Sequence, residues 1–276
     1  MGQSSGSLPP EIPAGTSGGW IRVPGGSAAA PASASGPPLR SWLALPSGRA
    51  PHAGLLVLPE VFGINGWVRS VAGRLASAGY AALAVPLFAR TAPELELGYD
   101  AQGLAIGRSH KDQTRHEELL SDLARAAQWL TQQLPDPAAP LGCVGFCFGG
   151  HVAMLAATLP QLAASVDCYG AGVVSGSPGG GPPTLERVPQ IPGRLLCICA
   201  EQDPLMPPQD VEAIELRLAG AGSDRHRLIR VAEAGHGFLC EARADYAPAA
   251  AARIWPELMA FLEETLSPGS PDATAR

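Results

Sequence analysis

Five short, almost wholly apolar runs constrain this chain most: AGLLVLP (53–59), YAALAVP (80–86), LGCVGF (141–146), AASVDCYG (163–170) and RLLCICA (194–200). Runs this short without polar alternation are the mark of strands covered on both faces, as in a parallel sheet. Segments with helical spacing lie between them. In NGWVRSVAGRLASAG (65–79), Trp67, Val68, Val71, Leu75 and Ala78 share one face and Gly79 closes it. Leu119, Leu123, Ala126, Leu130 and Leu134 recur at helical intervals, and GGHVAMLAATL (149–159) follows LGCVGF. PPQDVEAIELRLAGAG (207–222) opens on proline and ends on glycine, and Ile254, Leu258, Phe261, Leu262 and Leu266 mark a last helix. LRSWLAL (39–45) and HRLIRVA (226–232) add a strand near either end. Strands alternating with helices predict an α/β fold, a mainly parallel sheet of about seven to eight strands with helices on both faces.

Residues 1–38 are rich in Gly, Pro, Ser and Ala and are expected to form a flexible N-terminal extension, with WIRV (20–23) as a stray edge strand. A single domain is expected over 39–267, followed by a disordered tail at 268–276. Residues 87–113 show no period, and long excursions of this kind tend to carry function. A net charge of −6 without any basic run argues against nucleic acid as a partner. No apolar stretch approaches the ~20 residues of a membrane span, and the N-terminus lacks the apolar core of a secretory signal. The six cysteines fall mostly in apolar strands without C-x-x-C spacing, the habit of reduced thiols in the cytoplasm. No G-x-G-x-x-G follows the first strand, so neither a dinucleotide nor any other organic or metal cofactor is implied. The expected assembly is a monomer or small homo-oligomer.

GFCFGG (145–150) joins a strand to a helix and puts Cys147 in a glycine-rich turn. Such a turn can present a nucleophile, with the next backbone N–H facing a developing oxyanion, and the helix N-terminus favours thiolate. Cys147 has three readings: a nucleophile, a redox thiol, or a small residue filling a tight turn. Two later residues bear on the choice. Asp203 follows RLLCICA, and His236 follows HRLIRVA in a Gly-flanked loop. Alone, Asp203 is a turn or capping residue and His236 a loop histidine. Together with Cys147 they occupy three strand ends, where open α/β sheets bind ligands, in the order nucleophile, acid, histidine. His236 would take or hold the thiol proton while Asp203 fixes its tautomer.

LPEVFGING (58–66), GYAALAVPLFAR (79–90), GFCFGG (145–150), DCYG (167–170), EQDPLMP (201–207) and AGHGF (234–238) together resemble the dienelactone hydrolase family of α/β-hydrolases, over about Leu39 to Leu266. The resemblance implies an α/β-hydrolase fold and a carboxylic ester or lactone hydrolase with Cys147, His236 and Asp203 as triad. It implies that Glu60 assists thiol activation, and that the N–H groups of Val61 and Phe148 form the oxyanion hole. It also implies a small-molecule ester or lactone substrate, with two arginines to bind a substrate carboxylate. Arg90 falls on the first position; the second is Cys240, with Arg243 three residues beyond. Arg243 either substitutes there or is a surface ion-pair partner of Glu241 or Asp245. Leu87 also replaces an aspartate of the family pattern. The competing functions are a broad carboxylesterase without carboxylate recognition and a non-catalytic, redox-sensing homologue. Among other candidates, His151 is expected to pack or cap, and His110 and His116 to be solvated. Trp67, Phe88 and Tyr99 belong to the core or line a pocket.

Overall fold

The computed structural model describes residues 12–26, 36–221 and 224–267. The expected tail at 268–276 lies outside the described residues, as do 1–11 and 27–35 of the expected extension. Strands β1 (Thr16–Val23), β2 (Leu39–Pro46), β3 (Ala53–Leu58), β4 (Tyr80–Ala84), β5 (Leu141–Phe146), β6 (Leu162–Cys168), β7 (Arg194–Ala200) and β8 (His226–Val231) form one eight-stranded sheet. Its order is β1-β2-β4-β3-β5-β6-β7-β8. The β1–β2 and β2–β4 pairs are antiparallel and the remaining pairs parallel.

The helices are α1 (Gly66–Ser77), α2 (Ala101–Lys111), α3 (His116–Thr131), α4 (Phe148–Ala156), α5 (Pro208–Ala219) and α6 (Pro248–Leu266). Successive residues of a strand face opposite sides, and β3 has apolar residues on both. Leu55 and Val57 join Trp67, Val71 and Leu75 of α1 and Ile254 and Leu258 of α6 in one buried cluster. Leu56 and Leu58 join Leu123 and Leu130 of α3 and Val152 of α4 in another. Each such side chain contributes about 1.5–3 kcal/mol on burial, so the unbroken apolar runs are what a sheet with two covered faces requires.

The structure departs from the sequence reading at two places. The edge strand expected at 20–23 is the longer β1, paired with β2 along its whole length. The sheet therefore starts inside the segment that composition assigned to an extension. Trp20 packs edge-on against Trp42 at 5.4 Å between ring centroids, and the Arg40 guanidinium lies 3.6 Å over the Trp20 ring. Gly18 leaves room for the Trp42 ring, so here glycine serves packing. Second, the aperiodic excursion contains α2, whose N-cap Asp100 accepts a hydrogen bond from the Gly103 N–H at 2.7 Å.

Candidate active site

Four loops at the carboxyl ends of β3, β5, β7 and β8 bring Glu60, Cys147, Asp203 and His236 to one end of the sheet. Cys147 adopts φ 55° and ψ −119°, a strained conformation for a side-chain-bearing residue, typically costing ~1–3 kcal/mol. The turn enforces it because its backbone strands approach too closely for other residues. A Cβ at Gly145 would stand 1.8 Å from the Gly149 carbonyl oxygen, and one at Gly149 would stand 2.2 Å from that of Leu58. The Cys147 N–H donates to the Cys168 carbonyl at 3.0 Å, so the side chain stands at the N-terminus of α4, where the helix dipole favours an anion.

His236 Nδ1–H donates to Asp203 Oδ2 at 2.7 Å. Asp203 Oδ1 accepts from the Leu205 N–H at 2.8 Å, which fixes the carboxylate. Both residues are buried, and the Tyr169 ring braces the imidazole edge-on at 5.4 Å. His236 Nε2 is buried without a hydrogen-bond partner. Burial opposes the imidazolium, but the nearby Cys147 charge and the Asp203 hydrogen bond outweigh it and push His236 up to about 10. The arrangement favours a protonated imidazole at His236.

Glu60 is fully buried. Its Oε1 accepts from Arg243 Nη1 at 2.8 Å, while Oε2 is buried with no partner. Two expectations for arginines change here. Arg243 is not a surface partner of Glu241, which instead holds the Trp67 indole N–H at 2.5 Å and Arg74 at 2.6 Å. Arg243 lines the cavity above Cys147, ion-pairs with Glu60, and reaches Asp245 at 3.4 Å. Tight turns at Cys240 and Arg243 fold the chain back to place it there, with Cys240 itself buried. Arg90 does not line that cavity. It pairs with the buried Asp122 on α3 and reaches Glu118 at 3.5 Å. Asp122 also holds Arg125 at 2.6 Å, and the buried carboxylate draws both guanidinium groups to itself, Arg90 included.

The cavity above Cys147 has a volume of about 340 Å³. Val61, Phe62, Leu104, Phe148 and Leu205 make much of its wall apolar. Arg108 and Lys111 also line it, and sequence reading missed both because α2 was not foreseen. The signal available was the capping pair of Asp100 and Gly103 within an otherwise aperiodic segment.

The remaining candidates have structural places. His151 binds the Ala171 carbonyl and the Thr184 hydroxyl, and burial pushes it down to about 4. His116 contacts the Pro178 carbonyl at 3.2 Å, and His110 lies against Phe88. Trp67 is core, Phe88 stacks behind Phe148, and Tyr99 packs on Phe62. Among the described residues, no three His, Cys, Asp or Glu side chains are grouped to hold a metal ion. None of the described helices is long and apolar enough to cross a membrane.

The sequence profile of the dienelactone hydrolase family matches residues 39–266, leaving β1 outside the match. A Synechocystis sp. protein named as a candidate carboxymethylenebutenolidase is 36% identical over 231 residues, 83% of this chain and 92% of its own. The carboxymethylenebutenolidase of Pseudomonas putida is 28% identical over 227 residues, 78% of this chain and 86% of its own. A crystal structure of a candidate dienelactone hydrolase from Klebsiella pneumoniae superposes with a TM-score of 0.78 at 25% identity, covering 90% of this chain and 99% of that one.

Proposed function

The chain belongs to the dienelactone hydrolase family, and on that premise we propose that it cleaves carboxylic esters or lactones through a Cys147–His236–Asp203 triad and a thioester acyl-enzyme. The reading is carried by one observation. A His236–Asp203 pair bonded at 2.7 Å shares a cavity wall with a cysteine held in nucleophile-elbow geometry.

In this mechanism the Cys147 thiolate attacks the substrate carbonyl, and the carbonyl oxygen becomes an oxyanion. The N–H groups of Val61 and Phe148 stabilise it, each such donor typically contributing ~2.7–4 kcal/mol. His236, charged in the resting pair, gives its Nε2 proton to the departing alkoxide. The neutral imidazole then takes a proton from water, which attacks the thioester and releases the acid and the thiolate. Asp203 holds the ring in the tautomer that both steps need. Glu60 assists thiol activation, and its unpartnered Oε2 supports that role. Arg90 has no part in the reaction, because its salt bridge to Asp122 holds it outside the cavity.

Cys147→Ala tests the reading. Turnover of p-nitrophenyl acetate should vanish in the variant, and iodoacetamide should abolish it in the native protein. Quenched native enzyme should carry an acetyl group on Cys147 by mass spectrometry. Turnover that survives the substitution sinks the mechanism. Absent turnover with reversible oxidation of Cys147 would favour the redox-sensing alternative.

A further inference from the structure

A second cavity of about 600 Å³ adjoins the catalytic one. The two share Lys111, Phe148, Ala171 and Gly172 as lining. A ligand whose carbonyl oxygen meets the Phe148 N–H therefore stands at the boundary of both. Their chemistry differs. The catalytic cavity is largely apolar, whereas the second is walled by hydroxyl, amide and charged groups, including Ser175, Ser177, Gln113 and Arg115. The shared wall is firm, because His151 ties the Ala171 carbonyl to the Thr184 hydroxyl.

Charge at the junction is one-sided. Among the described residues, no aspartate or glutamate lines the catalytic cavity, although the whole chain carries −6. Outside α2, Arg243 is neutralised by Glu60 and Arg90 by Asp122. Arg108 is exposed and has no ion-pair partner among the described residues. Lys111 pairs only with Asp112, which is 67% exposed and also lines the second cavity, so that pair is weak and screened. In the second cavity Arg115 has Glu117 at 4.0 Å, with both side chains 60% exposed. Leu104, Arg108 and Lys111 are four and three residues apart on α2, and such spacing puts them on one helix face. That face presents an apolar group and two cations to the cavity above Cys147, and Lys111 lines the second cavity as well.

We infer that the second cavity is a substrate subsite, and that Arg108 and Lys111 hold an anionic group, carboxylate or phosphate, of an ester whose scissile carbonyl lies over Cys147. The inference rests on the hydrolase reading above. It assigns anion recognition to α2 and to neither Arg90 nor Arg243.

The test uses (4-acetoxybenzoyl)glycine and its glycinamide, which differ only in charge, beside phenyl acetate and 4-acetoxyphenyl phosphate. Arg108→Ala and Lys111→Ala should each raise KM for the glycinate about five-fold more than for the amide, with kcat moving little. Lys111→Arg should restore most of the loss, and added salt should erode the preference. A larger penalty on the phosphate than on the glycinate identifies phosphate as the anion, and the reverse identifies carboxylate. Gly176 has open space beyond its Cα, so Gly176→Trp fills the second cavity. It should cost both extended esters about five-fold more than phenyl acetate. Equal losses on charged and neutral esters in the α2 variants overturn the anion site. Equal losses on long and short esters in Gly176→Trp overturn the subsite. If the native protein turns over phenyl acetate and these contrasts are absent, only the inference fails. If it turns over none of the esters, the hydrolase reading falls and the subsite with it.

Discussion

Gly107→Ala tests whether α2 positions the oxyanion hole. A Cβ at Gly107 would stand 2.2 Å from the Val61 carbonyl oxygen, 2.9 Å from its carbon and 3.1 Å from its Cβ. Ordinary contact begins near 3.4 Å, so α2 or Val61 must yield by about 1 Å. Neither has slack. On the far side of the same loop, a Cβ at Gly63 would lie 2.0 Å from the Leu95 carbonyl, and the Leu97 N–H bonds the Phe62 carbonyl at 2.9 Å. The strain therefore moves the residue whose N–H is proposed to meet the oxyanion. A misplacement of about 1 Å costs ~10²-fold, and loss of one oxyanion donor ~10²–10³-fold in kcat. Overpacking itself costs ~1–3 kcal/mol, so the variant should fold with a lowered Tm. Stopped-flow acylation by p-nitrophenyl acetate should slow about 10²-fold, while alkylation of Cys147 by iodoacetamide stays near the native rate because the elbow is untouched. Ala105→Ser, on the exposed face of α2, is the control. A folded Gly107→Ala protein with native acylation would refute the argument that this contact positions Val61.

Arg90→Ala should leave ester turnover intact and lower stability by about 1.5 kcal/mol, since Arg125 still bonds Asp122 at 2.6 Å. Denaturant melts and kinetics on charged and neutral esters check this, and a loss confined to anionic esters would contradict it. Arg243→Met leaves Glu60 buried and unpaired, which should destabilise by about 3 kcal/mol; adding Glu60→Gln should recover much of that in a double-mutant cycle, whereas additive losses would contradict the pairing. His236 should titrate near 10 in the native protein by NMR, and lower in Cys147→Ala, where the thiolate charge is gone. Because folding raises this pKa, the stabilisation is complete below about 6.5 and lost as pH rises through about 10, so in that variant the alkaline fall in Tm should be smaller and end at lower pH. An unchanged midpoint would show that the thiolate does not hold the proton on His236.

What the sequence made legible follows from what hydrophobic burial encodes. Strands β3 to β7 must be apolar on both faces, so their runs announce a parallel sheet, and a parallel sheet places its functional loops at the carboxyl ends. The elbow was legible for a related reason: backbone crowding at Gly145 and Gly149 excludes other residues, so geometry writes itself into the glycines. Helix α2 left no such trace. Only Gly103 and Gly107 are fully buried along it, and they pack through the absence of a side chain, which removes the apolar periodicity that reveals a helix. Strand β1 was obscured in the same way, its Gly18 making room for Trp42. The arginines fail for a different reason. A motif fixes where Arg90 stands in the chain, but its direction depends on Asp122, a partner on another element that no local spacing marks. The residues of the proposed triad are held by backbone turns and are readable from short motifs. Charged side chains are directed by long-range pairing, so substrate selectivity, which depends on them, becomes readable only once the fold has chosen the partners.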